Sequence, residues 1–193
     1  MSKRLPRLLK KNPLITMVVV LLGAATFAVS QYARQPGHYQ QQSGLKHLSG
    51  NYDAILVMRV VDGDTLKLAN GDRVRLIGID TPEMHESQKL YRDSKKSGQD
   101  VKTIQALGRR AYAFTKGLVE GKTVKLEFDV EKRDKYGRLL AYVYLSDGTF
   151  VNAQIVKEGY ASIMTYPPNV MHADEFLQLY RQARDSKVGL WKD

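Results

Sequence analysis

The chain has 193 residues, a net charge of +10 and no cysteine. That length fits one domain with some additional sequence, and the missing thiols exclude disulfides and any thiolate-held metal. The positive charge is compatible with a polyanionic ligand, since Lys and Arg contacts to phosphate supply much of nucleic-acid affinity; a basic, merely soluble surface has the same composition.

The additional sequence lies at the front. Residues 1–12 carry Lys3, Arg4, Arg7, Lys10 and Lys11 with no acid, half of the net charge, leaving +5 for residues 31–193. Residues 14–29 then run for 16 positions without a charge. A basic flank, a short apolar core and small residues near Ala28-Val29-Ser30 read as a secretory signal peptide. A full membrane span usually needs about 20 apolar residues, so an uncleaved anchor is the alternative reading. Either way residues 1–30 predict one hydrophobic helix. The cations stay on the cytoplasmic side, so everything after residue 30 is expected outside the cytoplasm, secreted or membrane-anchored through residues 13–30. Residues 31–50, rich in Gln, Gly and Ser, read as a flexible polar linker, and the folded domain is expected over 51–193.

Within the domain, Ala54–Val61 is rich in Val, Ile and Leu and reads as a strand. The turn Asp62-Gly63-Asp64 follows, then a second strand, Thr65–Leu68. Asn70-Gly71 is a tight-hairpin signal, and Arg73–Ile79 is the third strand, stopped by Pro82. Residues 84–102 are polar and charged and read as a mobile loop. Leu107, Ala111, Phe114 and Leu118 recur at helical spacing up to Gly121. Strands Thr123–Asp129 and Arg138–Leu145 follow, joined by a polar loop over 130–137. Val151–Glu158 and His172–Asp185 read as helices separated by Pro167-Pro168, with Phe176, Leu179 and Tyr180 as packing positions. Trp191 is expected to pack on the core. The pattern alone gives an α+β, mainly β chain: a small barrel of five strands with about three helices.

Three segments carry candidate chemistry: 62–65, 75–83 and 134–138. The hairpin through Asn70-Gly71 brings the second strand beside the third, so Asp64 and Asp80 can face each other at one end of the barrel. Two such carboxylates repel unless a cation sits between them, and hard divalent ions such as calcium take oxygen ligands of this kind. Arg75 and Arg138 could grip a phosphodiester, because guanidinium forks match phosphate oxygens and neutralise transition-state charge. Glu83 is the natural proton acceptor, as no histidine falls in these segments. Taken singly, each residue could equally be a turn acid, a solvated loop carboxylate or half of a surface ion pair.

In combination, VDGDT at 61–65, RLIGIDTPE at 75–83, AYAFTKGLVEGKTVKLEFD at 111–129, DKYGRLLAYVY at 134–144 and VNAQIVKEGYA at 151–161 resemble the staphylococcal nuclease family, in its order, over about residues 53–193. The resemblance implies a five-stranded OB-fold barrel. It implies Ca2+ held by Asp64, Asp80 and the backbone carbonyl of Thr81, scissile-phosphate binding by Arg75 and Arg138, and Glu83 at the general-base position. The implied activity is sugar-non-specific endonucleolytic hydrolysis of DNA and RNA, with cleavage of the 5′ P–O bond and 3′-phosphate products. Single-stranded or open substrates are the implied partners, together with the membrane if the front segment is retained; no obligate protein partner is implied. The sequence departs from the family pattern in three places. The loop at 84–107 is longer and carries Lys89, Arg92, Lys95, Lys96 and Lys102, which either add phosphate contacts or stay solvated. Only Tyr166 matches the pair of pocket tyrosines, as a substrate contact. The loop before Asp134 is one residue short.

His85, Glu86, Lys116 and Lys132 read as solvated, and Tyr136 as loop packing. Against the enzyme stand two other readings: a non-catalytic nucleic-acid-binding module on the same fold, and a membrane-anchored adaptor, which has no positive support in the sequence. A degenerate module would be expected to lose metal carboxylates or phosphate arginines, and Asp64, Arg75, Asp80, Glu83 and Arg138 are all present.

Overall fold

The computed structural model describes residues 51–192. The expected hydrophobic helix and linker at 1–50 lie outside the described residues. Strands β1 (Ile55–Asp62), β2 (Thr65–Leu68), β3 (Arg73–Leu76), β5 (Thr123–Glu127) and β6 (Leu139–Leu145) close a barrel in the order β1-β2-β3-β6-β5. It is a mixed barrel: β3 and β6 run parallel, and the other pairs are antiparallel. Val57, Leu66, Leu68, Val74, Leu76, Leu139 and Val143 are fully buried in the core. The inward alternation of β1 slips at a register shift between Val57 and Arg59, as expected where one extra residue is inserted as a bulge.

Among the described residues there are four helices, α1 (Gln88–Ser97), α2 (Val101–Val119), α3 (Val151–Lys157) and α4 (Ala173–Asp185), followed by a 3-10 turn over Gly189–Trp191; α2 packs on β1 and α3 on β6, while α1 packs on α2 and α4 on α3. Among the described residues no helix is long and apolar enough to cross a membrane. Tyr142 of β6 is buried on the barrel's outer side, edge-on to His172 with ring centroids 4.6 Å apart, and near Phe150 and Phe176. Asn152 of α3 ties this layer to the barrel: its side chain accepts from Val143 N at 3.0 Å and donates to Ile77 O at 2.9 Å.

The structure corrects the sequence expectations in three places. The mobile loop expected over 84–102 contains α1, and α2 begins six residues before Leu107, so the described residues form four helices rather than about three. Ser87 caps α1 by accepting from Leu90 N at 3.1 Å, Gly98 ends it at φ 72°, and Leu90 is fully buried beneath it. The third strand is two strands, because Gly78 sits at φ 81° and turns the chain out of the barrel. β4 (Gly78–Asp80) pairs with β7 (Ser162–Met164) instead, and the ring of Phe176 fills the space that a Cβ on residue 78 would need. Trp191 is half-buried and stands edge-on to Tyr180 of α4, with centroids 5.4 Å apart, rather than entering the core.

Candidate active site

The site starts from a turn. Asp62-Gly63-Asp64 joins β1 to β2, and the buried hydroxyl of Thr115 on α2 donates to Gly63 O at 2.7 Å. A Cβ on Gly63 would lie 2.6 Å from Thr81 Oγ1, so this turn closes only around glycine. The buried Asp64 carboxylate therefore reaches the exit of β4. Its Oδ2 accepts from Thr81 N at 3.1 Å and Thr81 Oγ1 at 3.2 Å, and its Oδ1 accepts from Thr65 Oγ1 at 3.0 Å.

Arg75 stands opposite Thr65 in the β2–β3 pair and lies between two acids. Nη1 faces Asp64 Oδ2 as an ion pair without hydrogen-bond geometry, while Nη2 donates to Asp80 Oδ1 at 2.9 Å and Ile79 O at 3.0 Å. Burial pushes the Asp64 carboxyl up, but Arg75, the Thr81 N–H and Lys89 outweigh it and hold the group below the usual carboxylate range. The Arg75 guanidinium, disfavoured by burial, is raised by Asp64 and Asp80. At Asp62 the balance is reversed: burial and the like charge of Asp64 outweigh the Gly63 N–H and the Lys89 ammonium and push it up to about 6.

Lys89, in the first turn of α1, completes the cluster. Its Nζ lies 3.0 Å from Asp80 Oδ1 and donates to Glu83 Oε1 at 2.8 Å and Thr81 O at 3.1 Å. Asp64, Arg75, Asp80, Thr81 and Glu83 are thus linked through two cations. Arg138 is not in that cluster. It precedes β6, donates from Nε to Asp134 Oδ2 at 2.7 Å, and stacks over Tyr136 at 5.6 Å. Leu140 pairs with Arg75 in the parallel ladder, and Arg138 lies two residues back, so both arginines share the outer face of the barrel. Tyr166 is 70% exposed in the loop after β7. His85 and Glu86 are exposed, Lys116 pairs with Glu120 at 3.4 Å, and Lys132 lies over Phe128 at 5.9 Å.

The donor set fits a hard cation in part through backbone. Among the described residues no three Asp, Glu or His side chains close together tightly enough to hold a metal by themselves. The Asp80 and Glu83 carboxylates and the Thr81 carbonyl nevertheless converge on a single positive charge, the Lys89 ammonium, and all three are hard oxygen donors of the type calcium takes.

Comparison with known proteins places the chain in a family. The model of the family described as "Staphylococcal nuclease homologue" matches residues 73–193. The chain is 35% identical over 180 residues to the thermonuclease of Staphylococcus intermedius, covering 92% of this chain and 96% of that one. It is 32% identical over 183 residues to the thermonuclease of Staphylococcus hyicus, covering 93% and 98%. It is 35% identical over 175 residues to the endonuclease YncB of Bacillus subtilis, covering 86% and 76%. The chain belongs to the staphylococcal nuclease family. Nucleases of this family generally use Ca2+.

Within this staphylococcal nuclease domain, sequence reasoning missed several residues that shape the site. Lys89 was visible only as one of five cations in a presumed loop, although Ser87 and Gly98 bracket it as helix caps. Gly108 of α2 lies where a Cβ would stand 2.7 Å from the Glu83 backbone, a role with no sequence signal beyond a glycine inside a helical pattern. Asp134 closes its turn by accepting from Tyr136 N and Arg138 N while holding the Arg138 guanidinium.

Proposed function

We propose that the protein is a Ca2+-dependent, sugar-non-specific endonuclease that hydrolyses DNA and RNA to 3′-phosphate products. The observation that carries this reading is the buried cluster in which Arg75 bridges Asp64 and Asp80 beside Glu83. The likeness to two thermonucleases and an endonuclease supports it. The strand order and the parallel β3–β6 pair support reading the barrel as OB-type.

Asp64, Asp80 and the Thr81 carbonyl would hold calcium, which when bound polarises a phosphoryl oxygen and offsets its charge. The chain's own residues do the rest. Arg75 and Arg138, on one face of the barrel, hold the scissile phosphate and stabilise the additional negative charge of the pentacoordinate phosphorus. Glu83 Oε accepts a proton from the attacking water as its oxygen bonds to phosphorus. The 5′ P–O bond then breaks, leaving a 3′-phosphate, and the departing 5′-oxygen takes a proton from solvent. Contacts to phosphate rather than to bases account for indifference to sugar and sequence. Tyr166, exposed near the end of β7, offers a stacking face for an unpaired base, which favours single strands.

The test is end-group analysis of products from a defined single-stranded DNA and a matching RNA. Mass spectra with 3′-phosphate and 5′-hydroxyl ends on both support the reading; 5′-phosphate ends contradict it. We also propose that residues 1–30 place the domain outside the cytoplasm. Added protease removes the domain from spheroplasts in that case; full protection together with no secreted form sinks the placement.

A further inference from the structure

Lys89 occupies an unusual position for a lysine. It lies in the first turn of α1, directly after the Ser87 cap and Gln88, where the helix dipole disfavours a cation and no acid stands in that turn. The helix is fixed there by Leu90, which is fully buried. What holds the ammonium is the cluster opposite: Asp80 Oδ1 at 3.0 Å, Glu83 Oε1 at 2.8 Å and Thr81 O at 3.1 Å. An ammonium has three donors and no acceptor, and here three oxygens face it. Two of them, from Asp80 and the Thr81 carbonyl, belong to the set assigned above to calcium.

We propose that Lys89 is a built-in counter-ion of the metal site: its ammonium holds the locus between Asp80, Thr81 and Glu83, a divalent cation enters only by displacing it, and Lys89 thereby sets how tightly the domain binds calcium. The proposal rests on the calcium reading above. Charge explains why such a residue is needed and what it does. Asp64, Asp80 and Glu83 carry three negative charges, and Arg75 and Lys89 return two, so the cluster holds together in the absence of metal. A divalent ion cannot share the Asp80 and Thr81 oxygens with an ammonium about 3 Å from each, because like charges at such separations repel strongly in a partly buried site. Lys89 is a long, flexible side chain in the first turn of α1, so displacement requires rotamer changes only and leaves the helix in place.

The experiment is calorimetric titration of CaCl2 into the metal-stripped protein, as wild type, Lys89→Met and Lys89→Arg, with thermal melts of each. The expected result is that Lys89→Met binds calcium at least about tenfold more tightly than wild type, while Lys89→Arg, which keeps the charge, stays near wild type. Calcium binding by wild type with an unchanged or weaker affinity in Lys89→Met overturns the proposal and leaves the calcium reading standing. No calcium binding by any of the three overturns both. A measurement on the wild type alone covers a variant that fails to fold. Reductive methylation of Lys89, quantified by mass spectrometry, is expected to rise severalfold on adding calcium; identical labelling with and without calcium overturns the proposal.

Discussion

The hydroxyl of Thr115 donates to the carbonyl of Gly63 across 52 residues of chain, at 2.7 Å and fully buried. This bond ties the turn that carries Asp64 to α2, so the position of a proposed metal carboxylate depends on a helix that contributes none of the proposed catalytic groups. Replacing Thr115 by Val keeps the shape and removes the donor, leaving the Gly63 carbonyl buried without a partner. The expected cost is about 1–3 kcal/mol, read as a lowered midpoint in urea, with a fall in calcium affinity. Unchanged stability would show that the turn is held by other contacts.

Gly108 supplies a test in which two effects have opposite signs. Glycine inside a helix is less stable than alanine by about 0.5–1 kcal/mol, so propensity alone predicts that Gly108→Ala stabilises the protein. The Cβ, however, would stand 2.7 Å from the backbone of Glu83 and Met84, which is not the end of a flexible side chain and cannot give way cheaply. The expected outcome is a lower melting temperature and a rate reduced by more than about tenfold, since displacing a reacting group by about 1 Å can cost about a hundredfold. A raised melting temperature with normal activity would contradict this placement of Glu83.

Glu83→Gln and Arg138→Ala address the proposed reaction directly. Each is expected to lower kcat by about 10²–10³ while leaving the circular dichroism spectrum unchanged. Glu83→Gln keeps the side-chain volume and removes the proton acceptor. Arg138→Ala frees Asp134 of its partner at 2.7 Å but leaves the two backbone bonds that close the turn. A rate within a factor of about two of wild type in either variant removes that residue from the mechanism.

The acid in the turn sets a pH dependence. Asp62 is raised to about 6 by burial and by the adjacent charge of Asp64. A carboxyl that binds its proton more tightly folded than unfolded favours the folded state below its unfolded value, and that contribution is lost as pH rises from about 4 through about 6. In metal-stripped protein, Asp62→Asn is therefore expected to raise the melting temperature at pH 8 and to leave it unchanged at pH 3.5. The same increment at both pH values would assign the effect to packing instead of charge.

Much of the barrel was legible because its signals are local. Asn70-Gly71 marks the β2–β3 hairpin, where Gly71 takes φ 90°, and that hairpin brings Thr65 opposite Arg75 and thereby Asp64 to the arginine that also reaches Asp80. The strand break at Ile77 was not legible. Val74, Leu76 and Gly78 continue a regular alternation, and the turn arises from the left-handed Gly78, where Phe176, 98 residues later, takes the space of a side chain. Helix α1 was missed because its composition is polar and only Leu90 is buried; its two caps were the available signal. Lys89 could not be placed without α1, because its three oxygen partners come from the β4 exit and the helix decides where its stem points. Asn152 gave no signal at all, as its hydrogen bonds to Val143 and Ile77 exist only once α3 lies across the barrel.

The most direct test of the central claim is cleavage of labelled single-stranded DNA and RNA by the purified protein, with calcium and with a chelator. The account predicts that both polymers are cut in calcium and that the chelator stops both reactions. Binding of either polymer without cleavage in calcium, magnesium and manganese alike would contradict it and leave a nucleic-acid-binding module on a nuclease fold.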